Sequence, residues 1–181
     1  MFETDLSRIK ELAQRKEREN WKFRSHLKGC DLSPKELDAL VRRLNAQVSS
    51  KIDCSACRNC CRELGPALEA EDTARLAEAE HMTPDEFVRK YQFRSGTEGK
   101  LVTEQRPCPF LSGNACRHHD IRPRGCVEFP YLDKPEFTTR LITVVSNVSL
   151  CPIVYNVYEL LKDEVTTLEL LRQAERENDI D

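Results

Sequence analysis

Apolar residues in the first fifty positions recur at helical spacing and predict two helices. The first is a charged segment that ends near Gly29, a residue suited to helix termination. The second begins at Ser33, which can cap a helix, and Glu36 completes a capping box three residues later. The apolar positions of this second helix are Leu37, Leu40, Val41, Leu44 and Val48. Their spacing indicates one packed face.

The middle of the chain has a mixed pattern. Residues 68–82 predict a helix, and Thr83 with Glu86 repeats the capping-box chemistry before another, shorter helix. Residues 93–136 hold most of the glycine and proline of the chain, so we expect irregular loops there. A short strand is predicted near residues 100–104.

The last part of the chain predicts one more strand and one long helix. Residues 137–146 are β-branched and apolar enough for a strand, whereas the pattern from Pro152 onward is helical. The acidic tail from Glu175 is expected to fray.

Together these patterns predict a mainly α fold, in which helices enclose an irregular, cysteine-rich metal-binding core with a minor pair of β strands. Three regions are expected along the chain. They are an N-terminal helical segment (1–50), a cysteine-cluster metal-binding domain (51–165), and the end of the C-terminal helix with its acidic tail (166–181).

Composition narrows the class of protein. The 181 residues are 33% charged and 39% hydrophobic, which fits one ordinary domain with a hydrophobic core. A formal net charge of −3 argues against a general nucleic-acid binder, which needs a basic face. The apolar run at residues 141–154 is interrupted by polar positions, so no membrane span is expected. The N-terminus lacks the apolar run of a secretory signal, and we therefore expect a cytoplasmic protein.

Nine cysteines supply the candidate chemistry, and four of them lie within eight consecutive residues. In a reducing compartment such clustering favours metal binding over the alternative, a secreted disulfide framework. The eight predicted metal ligands are Cys54, Cys57, Cys60, Cys61, Cys108, Cys116, Cys126 and Cys151. The first three have the spacing of a bacterial ferredoxin loop, in which a remote Cys-Pro belongs to the ligand set. Cys108 and Cys151 both precede proline.

The division of these thiolates among metal sites stays open. If the segment is helical, a rotation of about 100° per residue places Cys54, Cys57 and Cys61 near one face, with Cys60 at its edge. Two Cys₄ zinc sites would use all eight thiolates, and so would one four-iron cluster with a second site. The sequence leaves both zinc and an iron–sulfur cluster open, with iron slightly favoured.

The residues around the ligands suggest supporting roles. Six arginines could offset the negative charge of a thiolate-rich site: Arg58, Arg62, Arg106, Arg117, Arg122 and Arg124. His118 and His119 follow Cys116, but eight thiolates are already available, so we expect neither histidine to bind metal. Cys30 has no cysteine near it in the sequence and is expected to fill space as a small apolar group.

The cysteine segments resemble a known family, the YkgJ-like cysteine-cluster family, whose members are described as zinc- or iron-chelating proteins. Its CxxCxxCC motif corresponds to residues 54–61. Its second block reads Cys-Pro-Phe-Leu, a further cysteine, and then Arg-Pro-x-x-Cys-x-x-Phe-Pro. In this chain these elements are residues 108–111, Cys116 and residues 122–130, with a closing Cys-Pro at residues 151–152. The resemblance extends from about residue 50 to residue 165.

The chain departs from that family at two places. Members often carry Ile-Tyr-Glu where this chain has His118, His119 and Asp120, and arginine where it has Val127. The resemblance implies metal chelation. A related branch, the flagellin lysine N-methylases, is similar in its cysteine cluster and implies iron–sulfur-assisted methyl transfer to protein lysines. Those proteins are longer, and the additional region is missing from this sequence.

The function expected from the sequence is metal binding through the eight thiolates, as a redox or catalytic component that acts with a protein partner. The first alternative is a zinc-stabilised protein-interaction module, whose metal replaces part of a hydrophobic core. The second alternative is methyl transfer to protein lysines, which rests on the resemblance alone.

Overall fold

The computed structural model describes residues 1–178. It is 61% helical, which confirms the predicted mainly α fold. The α-helices are α1 (Leu6–Arg15), α2 (Glu17–His26), α3 (Pro34–Ser49), α4 (Cys54–Cys57), α5 (Asn59–Glu63), α6 (Ala70–Ala79), α7 (Pro84–Lys90), α8 (Arg124–Glu128), α9 (Leu141–Asn147) and α10 (Pro152–Asn178).

The strands of the described chain are short and lie in its middle third: β1 (Ala67–Leu68), β2 (Arg94–Ser95), β3 (Leu101–Val102), β4 (Leu111–Ser112) and β5 (Ala115–Cys116). Strands β1, β3 and β2 form an antiparallel sheet in that order, and β4 pairs with β5 as a hairpin. Strand β3 confirms the strand predicted near residues 100–104. The β content is therefore minor, as predicted, but it exceeds a single pair.

These elements divide into two compact units. We call residues 1–53 together with the chain from Pro130 onward the helical unit, and residues 54–129 the cysteine unit. The boundaries predicted for a metal-binding domain at residues 51–165 stay a prediction.

The helical unit is organised around α3 and α10, which pack against each other. Helices α1 and α9 contact α10, and α2 contacts both α1 and α9. The predicted capping box of α3 is confirmed, because Ser33 Oγ accepts the Glu36 N–H at 3.3 Å and Glu36 Oε2 accepts the Ser33 N–H at 2.8 Å. The apolar face predicted for α3 is buried. The single helix predicted before Gly29 is instead two helices, with Lys16 between them.

Residues 137–146 are helical, so the strand predicted there is wrong. A 3₁₀ segment, Phe137–Arg140, leads into α9. Asp38 accepts the backbone N–H groups of Glu136 at 2.8 Å and Phe137 at 2.9 Å, which satisfies donors at the start of this segment. The buried residues that follow lie at helical spacing: Leu141, Val144, Val145 and Val148. Packing in the core has outweighed the strand preference of β-branched side chains.

Within residues 1–178, no helix is by itself long and apolar enough to cross a membrane, and only the bent pair Phe137–Asn147 and Pro152–Asn178 meets that test jointly. Helix α10 continues to Asn178. The rest of the tail that was expected to fray, residues 179–181, lies outside the described residues.

The cysteine unit has a small aromatic core. Helices α6 and α7 pack against each other, and the predicted capping box of Thr83 and Glu86 at the start of α7 is confirmed. Helix α6 begins at Ala70, later than predicted, because Leu68 belongs to β1. The buried residues of this core are Leu68, Leu76, Ala77, Phe87, Tyr91, Phe93, Cys108 and Phe110. One candidate ligand, Cys108, is thus itself part of the core.

Candidate metal centre

The CxxCxxCC segment is not one continuous helix. Helices α4 and α5 are separated by Arg58, whose backbone is left-handed with φ 51° and ψ 15°. The interpretation that placed Cys54, Cys57 and Cys61 on one continuous helical face is therefore wrong. The break follows Cys57 directly, so the first two cysteines lie on α4, whereas Cys60 and Cys61 lie on α5.

The turn of the β4–β5 hairpin joins the two halves of this segment. Arg62, on α5, donates from Nη1 to the Cys57 carbonyl at 2.8 Å and from Nη2 to Asn114 Oδ1 at 2.6 Å. Asn114 in turn donates from Nδ2 to the Ala56 carbonyl at 3.4 Å. These three contacts hold α4 beside the hairpin that ends at Cys116.

Cysteines from three separate segments meet at the aromatic core. The Cys108 N–H donates to the Cys61 carbonyl at 2.8 Å, and Cys108 is only 8% exposed. Cys116 pairs with Leu111 across the hairpin, and both Cys61 and Cys116 pack against the core cluster that contains Cys108. A fourth cysteine, Cys126, belongs to the same unit, and the charges of the other three thiols raise its pKa. We call Cys61, Cys108, Cys116 and Cys126 the four-thiol group.

A buried carboxylate on α6 positions the segment that carries Cys126. Asp72 is 2% exposed, and its Oδ1 accepts the backbone N–H of Arg124 at 3.2 Å. The same oxygen accepts a hydrogen bond from Arg75 Nη2 at 2.6 Å. Arg75 also donates from Nε to the Ile121 carbonyl at 3.3 Å. Asp72 and Arg75 therefore hold the chain on the N-terminal side of Cys126 at several points.

The other end of α6 positions the segment that carries Cys116. Glu80, the residue after α6, accepts a hydrogen bond from Tyr91 Oη at 2.7 Å and lies 2.7 Å from His118 Nε2. Arg117 Nη1 lies 3.2 Å from the same carboxylate. Burial alone would raise the pKa of Glu80, but the hydrogen bonds from Tyr91, His118 and Lys90 and the Arg117 charge lower it to about 2. Glu80 is therefore an ionised, multiply bonded anchor next to Cys116.

Hydrogen bonding and positive charge stabilise the thiolate form of Cys61. The Cys60 thiol donates a hydrogen bond to Cys61, and this is the largest influence on the Cys61 pKa. Partial burial opposes it, while the guanidinium charges of Arg58, Arg62 and Arg122 act in the same direction as the hydrogen bond. The pKa of Cys61 falls to about 6. This shift favours the thiolate, the form that binds metal.

The other buried thiols are shifted in the opposite direction. Burial raises the pKa of Cys108 to about 11, and the charges of Cys61 and Cys116 add to that rise. Cys126 retains an exposed residue surface, yet desolvation of its thiol raises its pKa to about 12. The charges of neighbouring thiolates contribute to both shifts, because closely spaced thiols resist ionising together. A bound cation would remove that penalty.

Three of the six predicted arginines lower the pKa of Cys61. Arg58, Arg62 and Arg122 act on Cys61, as described above. The remaining three make other contacts. Arg106 donates from Nη1 to the Thr103 carbonyl at 2.9 Å, Arg117 pairs with Glu80, and Arg124 pairs with Glu128.

The two histidines make polar contacts with neighbouring side chains. His118 Nε2 lies against Glu80, as described above. His119 is approached by Arg58 Nη1 at 3.5 Å and by Arg122 Nη1 at 3.3 Å. The prediction that neither histidine binds metal stays a prediction.

The remaining cysteines lie outside the four-thiol group. Cys54 is exposed at the start of α4, and Cys57 is half-buried at its end. Cys151 is buried in the helical unit directly before α10, where its N–H donates to the Asn147 carbonyl at 2.9 Å. Cys30 also belongs to the helical unit, and its Sγ lies 3.7 Å from the Leu27 carbonyl. The predicted convergence of all eight ligands stays a prediction.

The donor set of the cysteine unit fits zinc or iron by its chemistry. Soft thiolates are the ligands that structural zinc and iron–sulfur clusters use, and the four-thiol group places four of them in one neighbourhood. Within residues 1–178, however, no three histidine, cysteine, aspartate or glutamate side chains converge closely enough to hold a metal ion. Among the described residues the donor set therefore fits zinc or iron by its chemistry and not by the positions of its side chains.

Sequence comparison identifies the family. The family model CxxCxxCC, described as "Putative zinc- or iron-chelating domain", matches residues 53–143. The chain belongs to this family, which confirms the resemblance found in the sequence. No curated protein and no solved structure matches the chain.

The contacts that support the centre had no clear signal in the sequence. Asp72 and Glu80 lie at the two ends of a helix that carries several acidic residues, so nothing distinguishes them from solvated side chains. The one available signal was the Glu69-x-x-Asp72 spacing, which is that of a capping box and which the structure shows in that role.

Proposed function

We propose that the protein holds an iron–sulfur cluster or zinc through cysteine thiolates and serves as a redox or catalytic component that acts with a protein partner. All eight predicted cysteines are retained as ligands in this proposal. Membership of a zinc- or iron-chelating family supports the metal, but it does not distinguish zinc from iron.

The observation that carries the proposal is the four-thiol group. Its members come from α5, from the loop before β4, from β5 and from α8. A fold has no packing reason to bring small thiols from four segments together when larger apolar side chains would fill the space better. Metal ligation supplies that reason, since each thiolate–metal bond compensates for the burial of a charge.

The charges around Cys61 support a negatively charged metal centre. A divalent ion with four thiolates carries a formal charge of about −2. Arg58, Arg62 and Arg122 are near enough to shift the Cys61 pKa, so their positive charges would compensate for much of that excess. In an iron–sulfur cluster the same charges would raise the reduction potential, because they stabilise the more negative, reduced state.

The protein partner is proposed on chemical grounds. The chain has no other cofactor-binding motif in its sequence. A redox or catalytic centre would therefore need a second protein to supply or accept the electrons or the chemical group that it transfers. Val127, next to Cys126, is a 55% exposed apolar residue beside a candidate ligand. Arginine is common at this position in the family, so the partner surface of this chain would be less basic.

A zinc-stabilised interaction module is the second candidate, and the size of the core favours it. The aromatic core of the cysteine unit has only eight buried residues, one of which is Cys108. Cores this small often depend on a structural metal. If the metal is structural, a strong chelator will unfold the cysteine unit, because structural zinc contributes on the order of 10 kcal/mol to folding.

Absorption and elemental analysis of anaerobically purified protein test the proposal. A thiolate-ligated iron cluster gives a brown protein with iron and acid-labile sulfide, whereas zinc bound by thiolates is colourless. Iron with sulfide favours the redox or catalytic proposal, and zinc alone favours the interaction module. Protein that contains neither metal and takes up neither after reduction contradicts both.

A further inference from the structure

We propose that Arg58, His119 and Arg122 form a binding site for a phosphate-type oxyanion, at which the phosphate group of a substrate is held. All three residues lie in the cysteine unit, on segments that also carry candidate metal ligands. The identity of this ligand as a substrate rests on the proposed function, whereas the binding of the anion does not.

Two guanidinium groups converge on one imidazole ring. Arg58 Nη1 lies 3.5 Å from His119 Nδ1, and Arg122 Nη1 lies 3.3 Å from both ring nitrogens. Because it is equally far from both nitrogens, Arg122 Nη1 lies over the face of the ring. The two guanidinium nitrogens are within about 7 Å of each other, since both contact the same imidazole nitrogen. Arginine is always charged, so the fold brings two positive charges together at this point.

No carboxylate compensates for these charges within residues 1–178. The side-chain contacts of Arg58 and Arg122 in that part of the chain are with His119. By contrast, Arg117 and Arg124 of the same unit each form an ion pair with a glutamate. The Nε of Arg58 is in addition buried without a hydrogen-bond partner in the described chain. Buried donors without acceptors cost free energy, and a bound anion would remove that cost.

The backbone holds both arginines at fixed points. Arg58, the left-handed residue between α4 and α5, donates its N–H to the Cys54 carbonyl at 3.2 Å, and its own carbonyl accepts the Cys61 N–H at 3.0 Å. The carbonyl of Arg122 accepts a hydrogen bond from Arg75 Nη2 at 3.4 Å. The donors are therefore already in place before an anion binds, which lowers the entropic cost of binding.

Charge and shape favour a phosphate group over a carboxylate. A phosphate carries a charge close to −2 at neutral pH and balances two guanidinium groups, whereas a carboxylate balances one. The planar donors of arginine also match the oxygens of a phosphate. His119 stands where members of the family often carry tyrosine, so the site is a property of this chain. The other role open to Arg58 and Arg122 is to offset the charge of a thiolate-bound metal, and the experiment separates the two roles.

Calorimetric titration of the full-length protein with inorganic phosphate tests the proposal, after the metal content has been measured. At neutral pH and constant ionic strength, the unmodified protein should bind about one phosphate per chain. Arg58→Gln and Arg122→Gln should each weaken this binding by about 10- to 100-fold, because each removes a charge-assisted hydrogen bond. His119→Tyr should weaken it with no change in metal content. Loss of metal in His119→Tyr would overturn its assignment to the anion site.

Arg124→Gln is the matched control. It removes the same charge from the same segment, but Arg124 Nε pairs with Glu128 Oε1 at 3.0 Å, so phosphate affinity should be unchanged. Equal weakening in Arg124→Gln and Arg122→Gln would show a general charge effect and overturn the site. Sulfate should compete with phosphate, whereas acetate that binds as tightly as phosphate would overturn the phosphate class.

The metal content distinguishes the two possible failures. Metal-containing protein that binds no phosphate overturns the anion site alone, because the arginines then serve only the metal. Protein without zinc or iron that still binds phosphate supports the anion site and contradicts the proposed function alone.

Chemical modification of the unmodified protein keeps the site testable when a variant does not fold. Phenylglyoxal reacts with arginine side chains, and peptide mass analysis gives the rate at each position. Phosphate should slow the modification of Arg58 and Arg122 together and leave the rate at Arg124 unchanged. Equal rates at Arg58 and Arg122 with and without phosphate would contradict the site.

Discussion

Asp72 provides the sharpest test of how the fold supports the centre. Its carboxylate is 2% exposed and accepts hydrogen bonds from the Arg124 N–H, the Glu69 N–H and Arg75 Nη2. The change Asp72→Ala removes all three at once. The N-terminal side of α8 is then released from α6, and Cys126 with it.

The expected magnitudes follow from these contacts. Each lost hydrogen bond costs roughly 1 kcal/mol, and buried donors left without an acceptor cost about 1–3 kcal/mol each. Arg75 is 39% exposed and can be rehydrated, so we expect a decrease of about 3–5 kcal/mol in the free energy of unfolding. Loss of a group that orients a metal ligand weakens metal affinity by about 10- to 100-fold.

The assay is chelator competition on folded protein, combined with denaturant unfolding. Glu71→Ala is the control, because Glu71 is an exposed acid in the same first turn of α6 and shares its interaction with the helix dipole. The metal affinity of Asp72→Asn should lie between those of Asp72→Ala and Glu71→Ala, since its amide oxygen can still accept the Arg124 N–H. Equal metal affinity in Asp72→Ala and Glu71→Ala would refute a positioning role for Asp72.

Three further outcomes are expected. Cys57→Ser should lower metal content while Cys30→Ser leaves content and spectrum unchanged, and equal loss in both variants would make the predicted set of eight ligands wrong. Gly65→Ala should destabilise by about 1–3 kcal/mol, because its Cβ would lie 2.6 Å from a guanidinium nitrogen and from a backbone oxygen, whereas Gly29→Ala, with nothing within 4 Å, should not. Similar melting temperatures for the two alanine variants would contradict this. Glu80 has a folded pKa of about 2 against an ordinary 4.5, so its stabilisation is fully present above pH ~4.5 and is lost as the pH falls toward 2. That contribution is of order 3 kcal/mol. Between pH 5 and pH 2.5 the melting temperature should therefore fall less in Glu80→Gln than in the unmodified protein. Parallel falls in the two proteins would argue that Glu80 does not stabilise the fold in its ionised form.

Local chemistry explains which parts of the fold could be predicted. Helices α3 and α7 begin where Ser33 and Thr83 cap them, because a capping box is complete within four residues and needs no tertiary partner. The segment at residues 137–146 depends on Asp38, a residue about a hundred positions earlier. The local sequence pattern does not include Asp38. The β-branched residues of this segment therefore predicted a strand where the structure has a helix.

In the candidate site, too, the features set by local sequence could be predicted and those that depend on distant residues could not. The cysteine spacing and the neighbouring arginines indicated a metal site, and the family match supports metal chelation. The break at Arg58 could not be predicted, since a left-handed arginine has no sequence signature comparable to glycine. The roles of Asp72 and Glu80 depend on partners 38 to 52 positions away, which a single sequence does not pair.

The length of α6 matters because each end of this helix holds a cysteine-bearing segment. Asp72 and Glu80 are separated by about 12 Å of helix, and each holds a different cysteine-bearing segment. One residue inserted between them would turn one carboxylate by about 100° relative to the other and shift it by about 1.5 Å. Substitutions on the exposed side of α6 should be tolerated, whereas insertions and deletions should not. The length of α6 therefore sets the spacing between the two segments that carry Cys116 and Cys126.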